Sequence, residues 1–246
     1  MPDGGDLAPR RTVAIDTDGF QRDGYLLVRG LFTPTEAASA LAAVQDALDP
    51  DEANELTLGS MRFASNLYRR SPAIRRVLAD PRLVGLVSAL LGPSSWCRWD
   101  QAVCKGPGSS PFPWHQDNGY TRLRDEHLQV WVALTDAPAE RGGLMVEPGA
   151  HRVPRQHRWV GSHVELLDPP QHPRWLAAEA GDVVAFSSLL PHSTGPNATD
   201  VDRWTYVAEF LPLDVDDDSV EAPHFVLSRG GRVVGRLEAD RYAPTP

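Results

Sequence analysis

Lysine is almost missing from this 246-residue chain: Lys105 stands alone beside 23 arginines. The bias reads as Arg-for-Lys coding, which marks the position of the one surviving lysine. Cysteine is nearly as scarce. Cys97 and Cys104 cannot make a disulfide framework or a four-thiolate zinc site. Seven apart in one extended stretch, they are expected on opposite faces as buried, inert thiols. No run of 18 apolar residues occurs, and the N-terminal MPDGGDLAPRR has no apolar stretch after its arginines, so a soluble, cytoplasmic protein without membrane contact is expected. Positive charge is in deficit, with 24 Lys+Arg against 33 Asp+Glu and a net −9. Affinity for duplex nucleic acid comes largely from neutralised phosphates, so nucleic acid is not an expected partner. What remains is ordinary: 41% apolar and 23% charged residues exclude disorder, collagen-like repeats and coiled coil. The length allows a sizeable core.

The first 92 residues read mainly as helix. Thr33-Pro34-Thr35-Glu36 has the cap, the proline and the returning glutamate of a helix start, and an Ala/Leu-rich segment follows to Leu48. Ser71-Pro72 and Asp80-Pro81 repeat the signal, with Gly92 as a stop. Tyr25 to Val28 reads as a short strand. From Trp96 the period changes. Trp96–Lys105, Leu128–Asp136, Leu144–Glu147, Gly181–Ser187 and Arg203–Leu211 are short, β-branched or aromatic, and bounded by turn residues. Helices followed by strands predict an α+β chain, one domain over 1–246, whose main body over 93–246 is a β-sandwich or barrel behind a helical flank over 1–92. Residues 152–178 are too long for an ordinary connection and are expected to form a lid.

The composition yields on the order of one His-x-Asp pair by chance, so a lone match has no weight. His115-Gln116-Asp117 gains weight from its setting, just past the strand Trp96–Lys105 in a Gly/Pro/Ser loop, where a barrel rim holds ligands rigidly and leaves one side open. The competing His163-Val164-Glu165 has no such strand before it and is set aside. His192 follows the strand Gly181–Ser187, and the turn Gly195–Asp200 leads into the strand at Arg203. If the arms pair symmetrically about that turn, His192 and Arg203 are cross-strand neighbours, with Thr194 on the same face. Two imidazoles and a carboxylate on one side of a metal suit non-haem Fe(II). A neighbouring Arg supplies a fork for a dicarboxylate.

These residues resemble the phytanoyl-CoA dioxygenase family of Fe(II)/2-oxoglutarate oxygenases, built on a double-stranded β-helix of the jelly-roll or cupin-like kind. The carriers are Lys105-Gly106-Pro107-Gly108, Trp114-His115-Gln116-Asp117, Gly142-Gly143-Leu144, Pro148-Gly149-Ala150-His151, Gly181-Asp182, His192 and Arg203. The chain departs in Arg141-Gly142-Gly143, where the family often has Asn-Gly, and in Ala150, where it often has Ser. The resemblance implies His115, Asp117 and His192 as iron ligands, Arg203 on the 2-oxoglutarate carboxylate with Thr194 adding a hydrogen bond, and O2 as the third reactant. Succinate and CO2 leave, and the substrate is hydroxylated or oxidatively cyclised.

Trp99, Gln101 and Lys105 alternate onto one face of the strand before His115. Gln101 and Lys105 are assigned to the cosubstrate, and Trp99, Asn118, Tyr120 and Arg62 to the substrate. Trp131 is read as core, and His151 and Trp159 as structural. Arg62, Arg69, Arg70, Arg75 and Arg76, with the basic 152–178 stretch, would steer an anionic substrate if they lined the mouth. A small molecule, anionic or glycosidic, in antibiotic-type specialised metabolism is the expected substrate, handled by a monomer or small homo-oligomer. Two rival readings remain at this stage: a metal-dependent cupin isomerase or hydrolase without 2-oxoglutarate, and a non-catalytic jelly-roll module that binds sugar.

Overall fold

The computed structural model describes residues 14–48, 55–123 and 126–242. The N-terminal MPDGGDLAPRR stretch, read above for a leader, lies outside them. Among the described residues no helix is long and apolar enough to cross a membrane.

The first part of the chain runs α1 (Thr17–Asp23), β1 (Tyr25–Val28), α2 (Pro34–Asp46), β2 (Glu55–Leu58), β3 (Met61–Ser65), α3 (Leu67–Arg70), α4 (Pro72–Leu78) and α5 (Pro81–Leu91). The predicted caps form as read. Thr33 Oγ1 accepts from the Glu36 amide while the Glu36 carboxylate returns to the Thr33 amide, and Ser71 and Asp80 cap the two Pro-initiated helices. The flank is less helical than expected, because β2 and β3 form a hairpin that pairs onto the main sheet.

The strands that follow are β4 (Ser95–Lys105), β5 (Phe112–His115), β6 (Leu128–Ala133), β7 (Leu144–Val146), β8 (His157–Val160), β9 (His163–Leu166), β10 (Arg174–Leu176), β11 (Val183–Ser187), β12 (His192–Thr194), β13 (Arg203–Pro212), β14 (His224–Arg229) and β15 (Arg232–Glu238). The main sheet has the order β1-β11-β6-β13-β4-β14-β15, with β3 also on β4; the minor sheet is β10-β7-β12-β5. All pairings are antiparallel. This two-sheet antiparallel sandwich is the jelly roll of the double-stranded β-helix. The helices cover one face of the main sheet, where Val44, Leu78, Leu83, Val87 and Phe210 share an apolar layer. A smaller cluster around Leu144, Val184 and Phe186 lies between the sheets.

Two departures from the strand pattern matter for the site. Symmetric pairing about the 195–200 turn predicts His192 opposite Arg203, but β12 pairs with β5 and β7 while β13 pairs with β4 and β6, so the two residues lie in different sheets. A turn signal marks reversal of the chain and carries no information about partner choice. The ten residues of β13 bury more by joining the long β4. Asn197 fixes the crossover by donating to the Lys105 and Val201 carbonyls. The second departure is a bulge in β4, where Glu209 faces Trp99 and Phe210 faces Cys97, leaving Arg98 as the extra residue. The bulge reverses the alternation, so Cys97 and Cys104 join one apolar layer instead of opposite faces.

Gly181 sets where β11 begins. Its φ is +97°, and a Cβ there would lie 2.1 Å from the Phe32 carbonyl oxygen. Gly181→Ala is expected to cost about 3 kcal/mol and to lower the melting temperature by ~6–12 °C, read by calorimetry. A shift below two degrees would mean that the loop at Phe32 yields freely.

Candidate active site

The two sheets enclose a cavity of about 410 Å³. Register orders the main-sheet residues on this side as cross-strand rows, of which all but Lys105, Ser65 and Ala133 line the cavity. The first row is Met61, Lys105 and Arg203; the second, Phe63, Val103, Thr205 and Ala133; the third, Ser65, Gln101, Val207 and Trp131; the last, Trp99, Glu209 and Gln129. From Arg203 to Glu209 is six residues, roughly 20 Å along the strand.

The minor sheet brings His115 directly opposite His192. Their rings are 4.1 Å apart, and the Asp117 carboxylate, on the turn after β5, lies 3.6 Å from His115 Nε2 and 3.7 Å from His192 Nε2. All three donor atoms fall within 4.8 Å of one another, so the trio could hold a metal ion. Each imidazole is oriented from behind: His115 Nδ1 is 2.8 Å from the Pro113 carbonyl and His192 Nδ1 is 3.0 Å from that of Leu190. A carbonyl accepts only, so Nδ1 carries the proton and Nε2 keeps its lone pair for a metal. Burial and the nearby His115 pull His192 down to about 4, leaving it neutral at pH 7. Burial works to raise the Asp117 carboxyl, but the two imidazoles outweigh it and hold it below its ordinary value.

The first row is cationic. Arg203 is fully buried; its Nη1 donates to Thr205 Oγ1, and among the described residues its Nε has no partner. Lys105 Nζ reaches the Ser110 carbonyl at 2.7 Å and Thr194 Oγ1 at 3.3 Å. Burial, with Arg203 adding to it, lowers Lys105 to about 7, and burial lowers Arg203 to about 9. Gly142, at φ +74°, makes room here, since a Cβ would lie 2.9 Å from Lys105 Cδ. Two buried basic groups with no carboxylate partner among the described residues fit an incoming carboxylate, and the neutral imidazoles with the ionised Asp117 fit a divalent metal.

The sequence-predicted residues divide. Trp99, Gln101, Tyr120, Thr194 and Arg203 line the cavity. The Gln101 amide donates to Ser65 Oγ, and the Tyr120 hydroxyl accepts from the Val164 amide. Asn118 stands off the cavity wall and donates to the Leu123 carbonyl. Arg62 is a correction. It alternates with Met61 and Phe63, so it points out of the sheet, 3.3 Å from Asp202 and over the Trp204 ring. Nor do its basic neighbours line the mouth: Arg69 donates to the Glu221 carbonyl, Arg70 to those of Ala47 and Ser65, and Arg75 to those of Tyr68 and Arg69. Trp131, read as core, forms part of the cavity wall, and Trp159, read as structural, is 63% exposed and meets Tyr120 edge-on.

Within 152–178, β8 and β9 form a hairpin that brings Ser162 and His163 to the cavity. It is anchored beside the trio, where His157 Nε2 accepts from the Gln116 amide and the Gln116 side chain bonds the Val153 and Leu189 carbonyls and the Arg155 amide. His163 does follow a strand, contrary to expectation, but its Nε2 turns to Glu165 and it stands outside the trio. His163→Ala is therefore expected to leave Fe(II) affinity unchanged within about twofold in an anaerobic titration.

In the last row sequence reasoning reached Trp99 but missed Gln129 and Glu209, and with them Arg98. Arg98 Nη1 donates to Glu209 Oε2 at 2.6 Å and its Nε bonds Asp217. Burial raises the Glu209 carboxyl against the pull of Arg98. Counting by twos from Arg203 reaches Thr205, Val207 and Glu209, so the signal for Glu209 was present; the bulged Arg98 has none.

A jelly roll whose cavity gathers two imidazoles, a carboxylate and a buried cationic end has the design of a non-haem Fe(II)/2-oxoglutarate-dependent oxygenase, and the chain is an enzyme of that class. The profile of the phytanoyl-CoA dioxygenase (PhyH) family matches residues 20–205, and the chain belongs to that family. It is 32% identical to the ectoine dioxygenase of Sphingopyxis alaskensis over 83% of this chain and 76% of that one. Among solved structures it resembles SnoN, a non-haem alpha-ketoglutarate-dependent epimerase from nogalamycin biosynthesis, with TM-score 0.70 and 26% identity over 80% of this chain and 82% of that one. The non-haem monooxygenase ThoJ shares the fold at TM-score 0.76 and 22% identity, over 92% and 90%.

Proposed function

We propose that His115, Asp117 and His192 ligate Fe(II), that Arg203, Thr194 and Lys105 hold the far carboxylate of 2-oxoglutarate beside Gln101, and that the enzyme hydroxylates or oxidatively cyclises a small molecule of specialised metabolism. The observation that carries this reading is the facing of two sides of one cavity: the imidazole-carboxylate trio at the minor sheet and the buried cations on the main sheet, joined at Lys105 and Thr194. Bound Fe(II), 2-oxoglutarate and O2 supply the oxidation, with succinate and CO2 as coproducts.

The chain's own residues do the rest. The Pro113 and Leu190 carbonyls keep both imidazoles aimed with Nε2 inward. The Arg203 guanidinium offers a planar fork to a carboxylate, and Lys105 adds charge from the next strand. The apolar faces of Phe63, Val103 and Leu144 exclude water from the cavity. Trp99 and Trp131 offer flat faces to a ring or sugar. The likeness to SnoN, named for nogalamycin biosynthesis, supports an antibiotic-type substrate.

Adding Fe(II) and 2-oxoglutarate without O2 is expected to give a visible charge-transfer band that EDTA removes. Its absence in the wild-type protein would favour a metal enzyme that does not use 2-oxoglutarate. A substrate screen by mass then separates gain of an oxygen atom from loss of two hydrogens.

A further inference from the structure

The row farthest from Arg203 has a polar group that the oxygenase reading leaves unused. Gln129 is fully buried and lines the cavity, and among the described residues its Oε1 has no hydrogen-bond partner. Such an atom is costly to bury unless something fills its need. Its strand neighbour Glu209 also lines the cavity, with Oε2 held by Arg98 Nη1 at 2.6 Å. Behind them His127 Nε2 lies 3.2 Å from Gln129 Nε2 and 3.7 Å from Glu209 Oε2. On the other side of Glu209 stands Trp99, and Trp131 is two residues from Gln129 on the same strand face.

We infer that Gln129 and Glu209, braced by Arg98 and flanked by Trp99 and Trp131, form a recognition site for a neutral hydroxyl group carried on a ring of the primary substrate. The patch presents acceptors, a free amide oxygen and a carboxylate, so it selects a hydrogen-bond donor. A cationic donor is disfavoured because the Glu209 carboxylate is already paired with Arg98 and a divalent metal would sit at the neighbouring trio. Tryptophan faces on two sides suit the ring that carries the hydroxyl. Cosubstrate and substrate would then occupy opposite ends of one wall, with the trio between them: Phe186, paired with Gln129 from the neighbouring β11, packs on His192 at 4.8 Å, while Thr194 meets Lys105 in the first row. The inference rests on the proposed assignment of the trio and the cosubstrate end.

The test uses three probes that share a benzyl ring, benzyl alcohol, benzyl methyl ether and benzylamine, titrated anaerobically into the protein loaded with Fe(II) and 2-oxoglutarate while tryptophan fluorescence is followed. Benzyl alcohol is expected to bind about tenfold more tightly than the ether and than the ammonium. That preference is expected to fall to roughly threefold or less in Gln129→Met and in Glu209→Gln, two variants of nearly conserved volume, each checked by thermal melting. Equal binding of alcohol and ether, tighter binding of the amine, no binding of any probe, or a preference that survives in every variant that folds would each overturn the inference. The charge-transfer band of the same samples keeps the two readings apart. A band without alcohol preference overturns the recognition site alone, and alcohol preference without a band overturns the metal and cosubstrate assignment alone.

Discussion

Replacing His192 with Ala is expected to abolish Fe(II)-dependent succinate formation and to weaken Fe(II) binding roughly a hundredfold or more, with little change in the melting temperature. The reason is the economy of the trio. With three protein donors for one metal, no fourth His, Cys, Asp or Glu joins the cluster among the described residues, so nothing replaces a lost imidazole. Even partners that only orient a metal ligand cost 10- to 100-fold in affinity when removed, and loss of a ligand costs more. The fold has less at stake. His192 sits in the short β12, whose backbone pairings to β5 and β7 do not depend on the ring, and the freed Leu190 carbonyl keeps its lone pairs available to water. Because His192 is held near 4, protons do not compete for its Nε2 in the neutral range, so the wild-type affinity should vary little through that range on its account. Anaerobic iron titration with succinate quantified in parallel checks each statement. Iron bound with wild-type affinity in His192→Ala, or lost in His163→Ala, would show that the metal is held elsewhere.

The trio was legible because its signals are local. His115 and Asp117 are two residues apart behind a strong strand, and His192 follows another strand after a short turn. The sheets that bring them together were not. The His192–Arg203 relation depends on whether β13 pairs with its sequence neighbour or with β4, a competition between distant segments that a turn motif does not report. The same gap explains Arg62. A residue in the unforeseen β3 cannot be given a face until its strand is known, and Met61 and Phe63 took the inward positions. The β4 bulge hid Arg98 and put both cysteines in one layer, because an inserted residue shifts the phase without changing composition. Helix starts fared best, since Thr33, Ser71 and Asp80 each satisfy backbone donors within three residues of themselves.

The second large effect is expected across the cavity, on the main sheet. Arg203→Ala should raise the KM for 2-oxoglutarate by roughly 30- to 5,000-fold, with a much smaller change in Fe(II) affinity. Arg203 and Lys105 are paired across β13 and β4, both buried, and among the described residues neither meets a carboxylate. Burying a cation this way is uphill, and on the proposed assignment the arriving carboxylate of the cosubstrate would relieve it; truncating one member of a buried charge pair costs about 2–5 kcal/mol, which gives that range in KM. Lys105 adds a pH dependence whose sign is fixed. Its folded value, about 7, lies below the ordinary 10.5, so the carboxylate draws a proton onto it and the affinity for 2-oxoglutarate should weaken as pH rises above about 7. In the protein without cosubstrate, the unfolded chain holds the extra proton between about 7 and 10.5, so the lysine's contribution favours the fold increasingly as pH rises through that window. Lys105→Met should flatten the pH dependence of KM while Arg203 still confers binding. Steady-state succinate assays across the neutral to mildly alkaline range decide the matter. An unchanged KM in Arg203→Ala would place the cosubstrate carboxylate elsewhere in the cavity, and an undiminished pH slope in Lys105→Met would assign the proton to another group.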